Sequence, residues 1–589
     1  MASFILTKTR LEELPDELLL LICEYLSSTE ILFSFVGLNS RLSKTISGFC
    51  RHVVLAQIPF KRFNYICKTI LPQIGTQISS LVVSNDWKGV LSKIFLNYFG
   101  KQMSLIFPCL KQLILPTYLI DSLASFLDCL QNLPLLFEIK IMSVYEMGTS
   151  STSQQILLEK LFTANNNRLT SILFDDDSLS FSYKNNTDVN YLHIENLVIE
   201  LDCLSDLHRL LTDLPQLKSI DVAINGEDLE IDEDIKYIPI VTLKYFRLRS
   251  FIQSWTLADL VTIFRRIPNI EELIIQINTH YDTRLIDGEQ MYSHLSSLLS
   301  LKKFTYFLQF QDISLVDTTD IISSWKEFQQ DFICINSDDN ESIILYSLPF
   351  NYPYLTLRYT LAKNKNFSDN YGYEVKCLTL YEVSTRIAET FSIINKCHRM
   401  QRLILQIYPE IIPESFQEIQ LRKLPYLTFF VAFQTLSINT DDFKRLLEAA
   451  PNLYHMAIAY ELLDSLFASD IVCNLLGRRV TDLLIGITSE INSEAMPIFI
   501  TRLASVCPSL KHLYFHSKDS KNSTESIILT VLNHLSKWNC LISFGVANIK
   551  IDSKILTKGI REWIIENSTL HDNDSFLTDY SADTFRLWL

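Results

Sequence analysis

Two patterns of apolar residues divide the chain. The first is confined to the stretch LEELPDELLLLICEYLSSTEILFSFVGLNSRLSKTISGFCRHVVL, residues 11–55. Pro15 stands where a first helical turn tolerates a missing N–H, and Asp16 and Glu17 follow at the positive end of the helix dipole. The pattern predicts a helix to about Leu26, then a break at Ser27, Ser28 and Thr29 that also supplies caps. A second helix is expected through Phe35, and a third, capped by Asn39 or Ser40, through Ile46 toward His52. In the first helix Leu18, Leu19, Leu20, Leu21, Ile22, Cys23 and Leu26 cover almost the whole circumference. A helix apolar all round has to be buried all round, and a unit of about 45 residues has too little interior for that. Each large side chain left in water forfeits roughly 1.5–3 kcal/mol. One face of this helix is therefore expected to meet something beyond its own bundle.

The second pattern recurs from there to the C-terminus. Its phrase is apolar-x-x-apolar-x-apolar, as in FPCLKQLIL (107–115), LPQLKSIDV (214–222), IPNIEELII (267–275), LPYLTFFVA (424–432), APNLYHMAI (450–458) and CPSLKHLYF (507–515). Successive copies start at Ile78, Leu110, Leu136, Leu169, Ile194, Leu217, Leu243, Ile270, Leu301, Tyr352, Val375, Met400, Leu427, Leu453, Val480, Leu510 and Leu541. No clear copy falls within 310–350, which leaves a divergent repeat or an inserted loop there. Pro108, Pro134, Pro215, Pro268, Pro425, Pro451 and Pro508 each stand two residues ahead of a first apolar position, and seven of 17 prolines in one register is no accident of composition. The alternation predicts a short strand with one face inward. Helical patterns separate the strands, as in 254–267, 440–450 and 494–507. Proline, which cannot donate to a ladder, belongs just before the strand.

Composition narrows the function classes. Hydrophobic residues make up 48% of the 589 and charged residues 20%, which predicts a folded chain with a large core. The net charge of −15 disfavours nucleic acid as a partner, because phosphate neutralisation needs clustered Lys and Arg. Apolar runs fall well short of the roughly 18–20 residues of a membrane span, and the start MASFILTKTR carries charge where a signal peptide needs apolar residues. The 12 cysteines include no CxxC pair and read as reduced, buried thiols of a cytoplasmic or nuclear, not secreted, protein. On that reading the sequons at Asn185, Asn366, Asn522 and Asn567 stay unused. There is no phosphate loop, nucleophile elbow or HExxH, so no cofactor and no catalytic residue is expected. His512 and His516 near Cys507 have a metal-like spacing, but residues i and i+4 of a strand are about 13 Å apart, and no metal is expected.

The segment LEELPDELLLLICEYLSSTEILFSFVGLNSRL resembles the F-box: Leu-Pro, an acidic residue, an apolar helix, a polar break and a second apolar helix. The resemblance implies docking into a Skp-type adaptor and, through it, onto a cullin–RING ubiquitin ligase. Carried onto this chain, the docking residues are Leu14, Pro15, Leu19, Ile22 and Leu26, with Leu32 and Phe33 behind them. Leu42 stands where the family usually has a tryptophan, which reduces the expected contact with the adaptor. The repeats resemble a leucine-rich horseshoe, with the asparagine after the strand present only at Asn225 and Asn278.

The expected fold is thus α/β: a three-helix F-box (10–57), an irregular leucine-rich-repeat solenoid with a parallel concave sheet (58–575), and a C-terminal tail (576–589). In such arrays outward strand side chains meet the target. Here they are Tyr245, Arg247, Arg249, Tyr354, Arg358, Tyr381, Arg402, Phe429, Phe433, His455, His512, Tyr514 and His516, rich in the types that dominate binding hot spots. The acidic stretch 226–236, with Asp175, Asp176 and Asp177, suits a basic target or solvated loops. The expected role is a non-catalytic substrate receptor for an unknown protein target. The alternatives are a scaffold solenoid unconnected to ubiquitin, and an enzyme with its site within 310–350.

Overall fold

The computed structural model describes residues 14–56, 58–83, 90–116, 118–142, 144–145, 151–175, 179–183, 190–226, 238–279, 282–311, 318–336, 342–350, 352–358, 374–383, 386–407, 419–432, 439–487, 495–517, 524–538, 540–548, 551–568, 570, 576–581 and 584–589. They belong to two compact units, Met1–Arg247 and Leu248–Leu589. The class is α/β, with two large, mostly parallel sheets.

The first unit opens with three helices, α1 (Asp16–Glu24), α2 (Ser28–Phe35) and α3 (Ser40–Thr45). Their ends follow local chemistry. Ser27 and Glu30 form a reciprocal capping box at α2, and Asn39 caps α3 by accepting from Leu42 N at 2.8 Å. Leu19, Cys23, Ile31, Leu32, Phe35 and Leu42 are buried, forming the interior side of these helices. The Val54 amide donates to Ser28 Oγ at 3.0 Å, tying α2 to the strand His52–Leu55. That strand falls inside the stretch assigned from sequence to the helical unit, yet it pairs with Ser80–Val83 as the first rung of a parallel ladder. The ladder continues through Gln112–Leu115, Glu138–Ile141, Ser171–Phe174, Asn196–Leu201 and Ser219–Ile224.

In the second unit Glu272–Thr279 pairs in parallel with Lys303–Gln311. A long parallel run then leads from Tyr354–Arg358 through Cys377–Val383, Arg402–Ile407, Phe429–Ala432, His455–Ala459, Asp482–Ile487 and His512–Ser517 to Ser543–Ala547. Each strand starts two residues after the first apolar position of its phrase. Those positions are core: Ile270, Val375, Leu427 and Leu510 expose nothing.

The proline register has a specific cause. The amide at the first apolar position donates to the carbonyl three residues back, as in Leu110 to Phe107, Leu217 to Leu214, Ile270 to Ile267, Leu427 to Leu424 and Leu510 to Cys507. Proline therefore occupies the second residue of a β-turn, where its fixed φ is preorganised. The helices between strands form as patterned: Leu257–Arg266 with a Thr256–Asp259 capping box, Thr440–Ala449 capped by Asn439, and Ala495–Val506.

The expected single parallel sheet needs correction. The strands do not make a single parallel ladder. Among the described residues of 310–350 are the helix Thr318–Ser324 and two strands, Phe332–Asn336 and Ser342–Ser347. Ser342–Ser347 pairs antiparallel with Lys303–Gln311, and Phe332–Asn336 pairs antiparallel with it in turn, so this parallel run ends and a separate sheet begins at Tyr354. Residues 576–589, set apart from sequence as a tail, contribute Thr584–Trp588, antiparallel to Ser543–Ala547, and Leu577–Ser581 beyond it. Phe585, Leu587 and Trp588 are buried there.

Candidate functional site

The N-terminal helices leave apolar surface in water. Leu19 and Cys23 point α1 into its bundle, with Leu19 only 1% exposed. One helical face away from them, Leu18, Leu21, Ile22 and Tyr25 recur at spacings of three and four, and the half-buried Leu14 precedes the helix across Pro15. Leu21 is 50% exposed and Tyr25 89%. Phe33 and Leu38 are exposed on the following elements, and Phe33 meets Tyr65 edge to face at 5.6 Å under the Arg62 guanidinium.

Of the docking residues expected from sequence, Pro15, Ile22 and Phe33 are exposed, and Leu14 and Leu26 are half-buried. Leu19 and Leu32 are buried in the chain itself. Leu19 is therefore a core residue and not part of the uncovered stripe; Leu18, Leu21 and Tyr25 take that place. An all-apolar helix gives no phase in sequence, so nothing there singles them out. Leu42 is buried and fills the core beneath α3. Its neighbour Arg41 reaches back to the start of α1, with Nη2 2.5 Å from Leu14 O and 2.6 Å from Asp16 Oδ1, and Nε 2.9 Å from the same carboxylate oxygen. That hydrogen bonding holds the Asp16 carboxyl below its usual range.

The second candidate surface is the strand face that alternation assigned to a target. Its residues lie at matching register: Arg402, Phe429, His455, Asp482, His512 and Ser543 are consecutive partners across six strands. At strand spacing of about 4.8 Å such side chains reach one another, and they do. The Arg402 guanidinium lies 4.6 Å from the Phe429 ring centre. His512 Nδ1 is 2.7 Å from Ser543 Oγ, and His512 Nε2 is 3.9 Å from Asp482 Oδ1. Arg586 of the last strand pairs with Asp579 at 2.6 Å.

Elsewhere the same face is closed differently. In the first unit Tyr245 is half-buried, and the buried Arg247 meets Asp221 at 3.3 Å. In the second, the Arg249 guanidinium lies 5.6 Å from the Tyr354 ring centre, Gln276 Nε2 donates to Tyr354 O at 3.1 Å, and Gln309 Nε2 donates to the Tyr381 hydroxyl at 3.2 Å. His516 is exposed beside Asn548. The Arg358 side chain, Phe433, Asp176, Asp177 and residues 227–236 of the acidic stretch lie outside the described residues, and Asp175 is half-buried.

The expectation of an open binding face is thus corrected for Arg247, Arg249, His512 and Tyr514, all buried. Alternation fixes which side of a sheet a residue occupies, but not whether water reaches that side. Asp221, Asp482, Ser543 and Arg586, not singled out from sequence, are the partners that close it.

No protein-family model matches the chain, and no curated protein matches it. Among the described residues no helix is long and apolar enough to cross a membrane.

Proposed function

We propose that this chain is a non-catalytic substrate receptor of a Skp–cullin–F-box ubiquitin ligase, cytoplasmic or nuclear. Its three N-terminal helices act as an F-box that docks a Skp-type adaptor, and its strand–helix repeats act as a leucine-rich-repeat arm that holds a protein target. The observation that carries the reading is the stripe Leu18, Leu21, Ile22 and Tyr25, preceded by the half-buried Leu14, which stays exposed on a helix that buries only Leu19 and Cys23. Large side chains kept in water on one contiguous face are what a docking helix presents before its partner arrives. The F-box resemblance of residues 11–42 supplies the partner.

The test is capture of a purified Skp-type adaptor by the full chain. Wild type is expected to bind and Leu21→Asp to lose binding with helicity unchanged. A wild-type chain that captures no adaptor under conditions where an established F-box does so removes the ligase reading and leaves a scaffold.

A further inference from the structure

We propose that Arg41 is a positioning residue for the adaptor-facing stripe, holding Leu14 in line with α1 before docking; this rests on the F-box reading above. Leu14 precedes the helix. The first carbonyl that α1 uses is that of Pro15, which accepts from the amides of Leu18 and Leu19 at 3.1 Å each. The Leu14 carbonyl is outside that ladder, and the Arg41 guanidinium takes it up from α3. The same fork holds Asp16 through two of its nitrogens.

Three contacts to residues on both sides of Pro15 fix the direction in which the chain enters α1. They thereby hold the Leu14 backbone at the entry to α1, ahead of Leu18, Leu21, Ile22 and Tyr25. The guanidinium takes the Leu14 carbonyl through Nη2 and the Asp16 carboxylate through Nη2 and Nε in one rigid fork, a geometry that the flexible point charge of an ammonium does not fix. Asp16 and Arg41 are about half-exposed, so the pair itself adds little to fold stability. Its effect falls instead on the ordering that docking would otherwise require.

The experiment measures binding of a purified Skp-type adaptor to the full wild-type chain, Arg41→Ala, Arg41→Lys and Leu21→Asp, with hydrogen exchange of the free proteins. Arg41→Ala is expected to bind about tenfold more weakly, the loss that ordering one further backbone residue entails. Exchange should speed up at residues 14–19 and nowhere else. Arg41→Lys should fall between. Wild-type affinity in Arg41→Ala, alongside lost binding in Leu21→Asp, overturns the role of Arg41 and leaves the F-box reading standing. No binding by wild type overturns both. If Arg41→Ala melts the three helices, Arg41→Lys decides: reduced affinity with intact helices supports the proposal, and unchanged affinity overturns it.

Discussion

The ring of Phe429 lies 4.3 Å from the imidazole of His455, nearly parallel at 27°, and the Arg402 guanidinium sits 4.6 Å from the same phenyl ring. Burial lowers the His455 pKa to about 4, and Arg402 and His512 add repulsion. Unfolded, His455 takes up a proton near 6.5; folded, it resists until about 4. Between those values the unfolded chain holds more protons, so stability rises with pH there. The second unit is expected to lose up to about 3 kcal/mol as pH falls from 7 to 4. Urea midpoints across that range, compared with His455→Gln, check it: the variant's dependence should be shallower.

The opposite slope belongs to the first unit. Burial raises the Asp206 carboxyl to about 6, against hydrogen bonds and Arg209 that favour its charged form. Folded Asp206 therefore holds a proton that the unfolded chain releases from about 3.8 upward, and this contribution is lost as pH rises through 6. Asp206→Asn is expected to stabilise helix Leu204–Asp213 by about 2 kcal/mol at pH 7.5 and hardly at all at pH 4. Hydrogen exchange of that helix at the two pH values distinguishes these outcomes.

On α1, neighbouring leucines should behave as opposites. Leu19→Ala opens a cavity in the bundle and should cost about 2–5 kcal/mol. Leu21→Ala trims a side chain already in water and should stay within about 0.5 kcal/mol. Exchange protection of residues 16–35 measures both.

Gly288 begins the helix Gly288–Leu295 against the backbone of Ser324 and Trp325, where an added Cβ would meet atoms at 2.5–2.6 Å. Backbone cannot swing aside as a side-chain tip can. Gly288→Ala is expected to destabilise the second unit by about 1–3 kcal/mol in chemical denaturation.

Strand positions are plain in the sequence because two signals coincide there: an inward apolar triplet and a proline whose ring suits the preceding turn. Pro215 and Leu217, or Pro508 and Leu510, locate a strand start to the residue. The end of the parallel run at Lys303–Gln311 shows in sequence only as a missing copy, since an antiparallel hairpin carries no such turn. The phase of α1 is hidden by its uniform leucines. Partnering on the strand face is hidden for another reason: His512 and Asp482 are brought together by register across 30 residues of chain, and alternation alone does not reveal register. Nothing in the sequence singles out Arg41, whose hold on Leu14 is a matter of three-dimensional geometry.

The bonds from Gln276 to Tyr354 and from Gln309 to Tyr381 span 78 and 72 residues, whereas the ladder amides, such as Lys218 to the Glu195 carbonyl, reach only to the adjacent rung. A stack whose members touch only their neighbours can fray one rung at a time from either end. These stitches oppose that freedom at the strands Glu272–Thr279, Lys303–Gln311, Tyr354–Arg358 and Cys377–Val383. Opening the strands of Gln276 or Gln309 breaks a contact closed from a strand several rungs on, and closing a loop of that length costs more entropy than joining adjacent rungs.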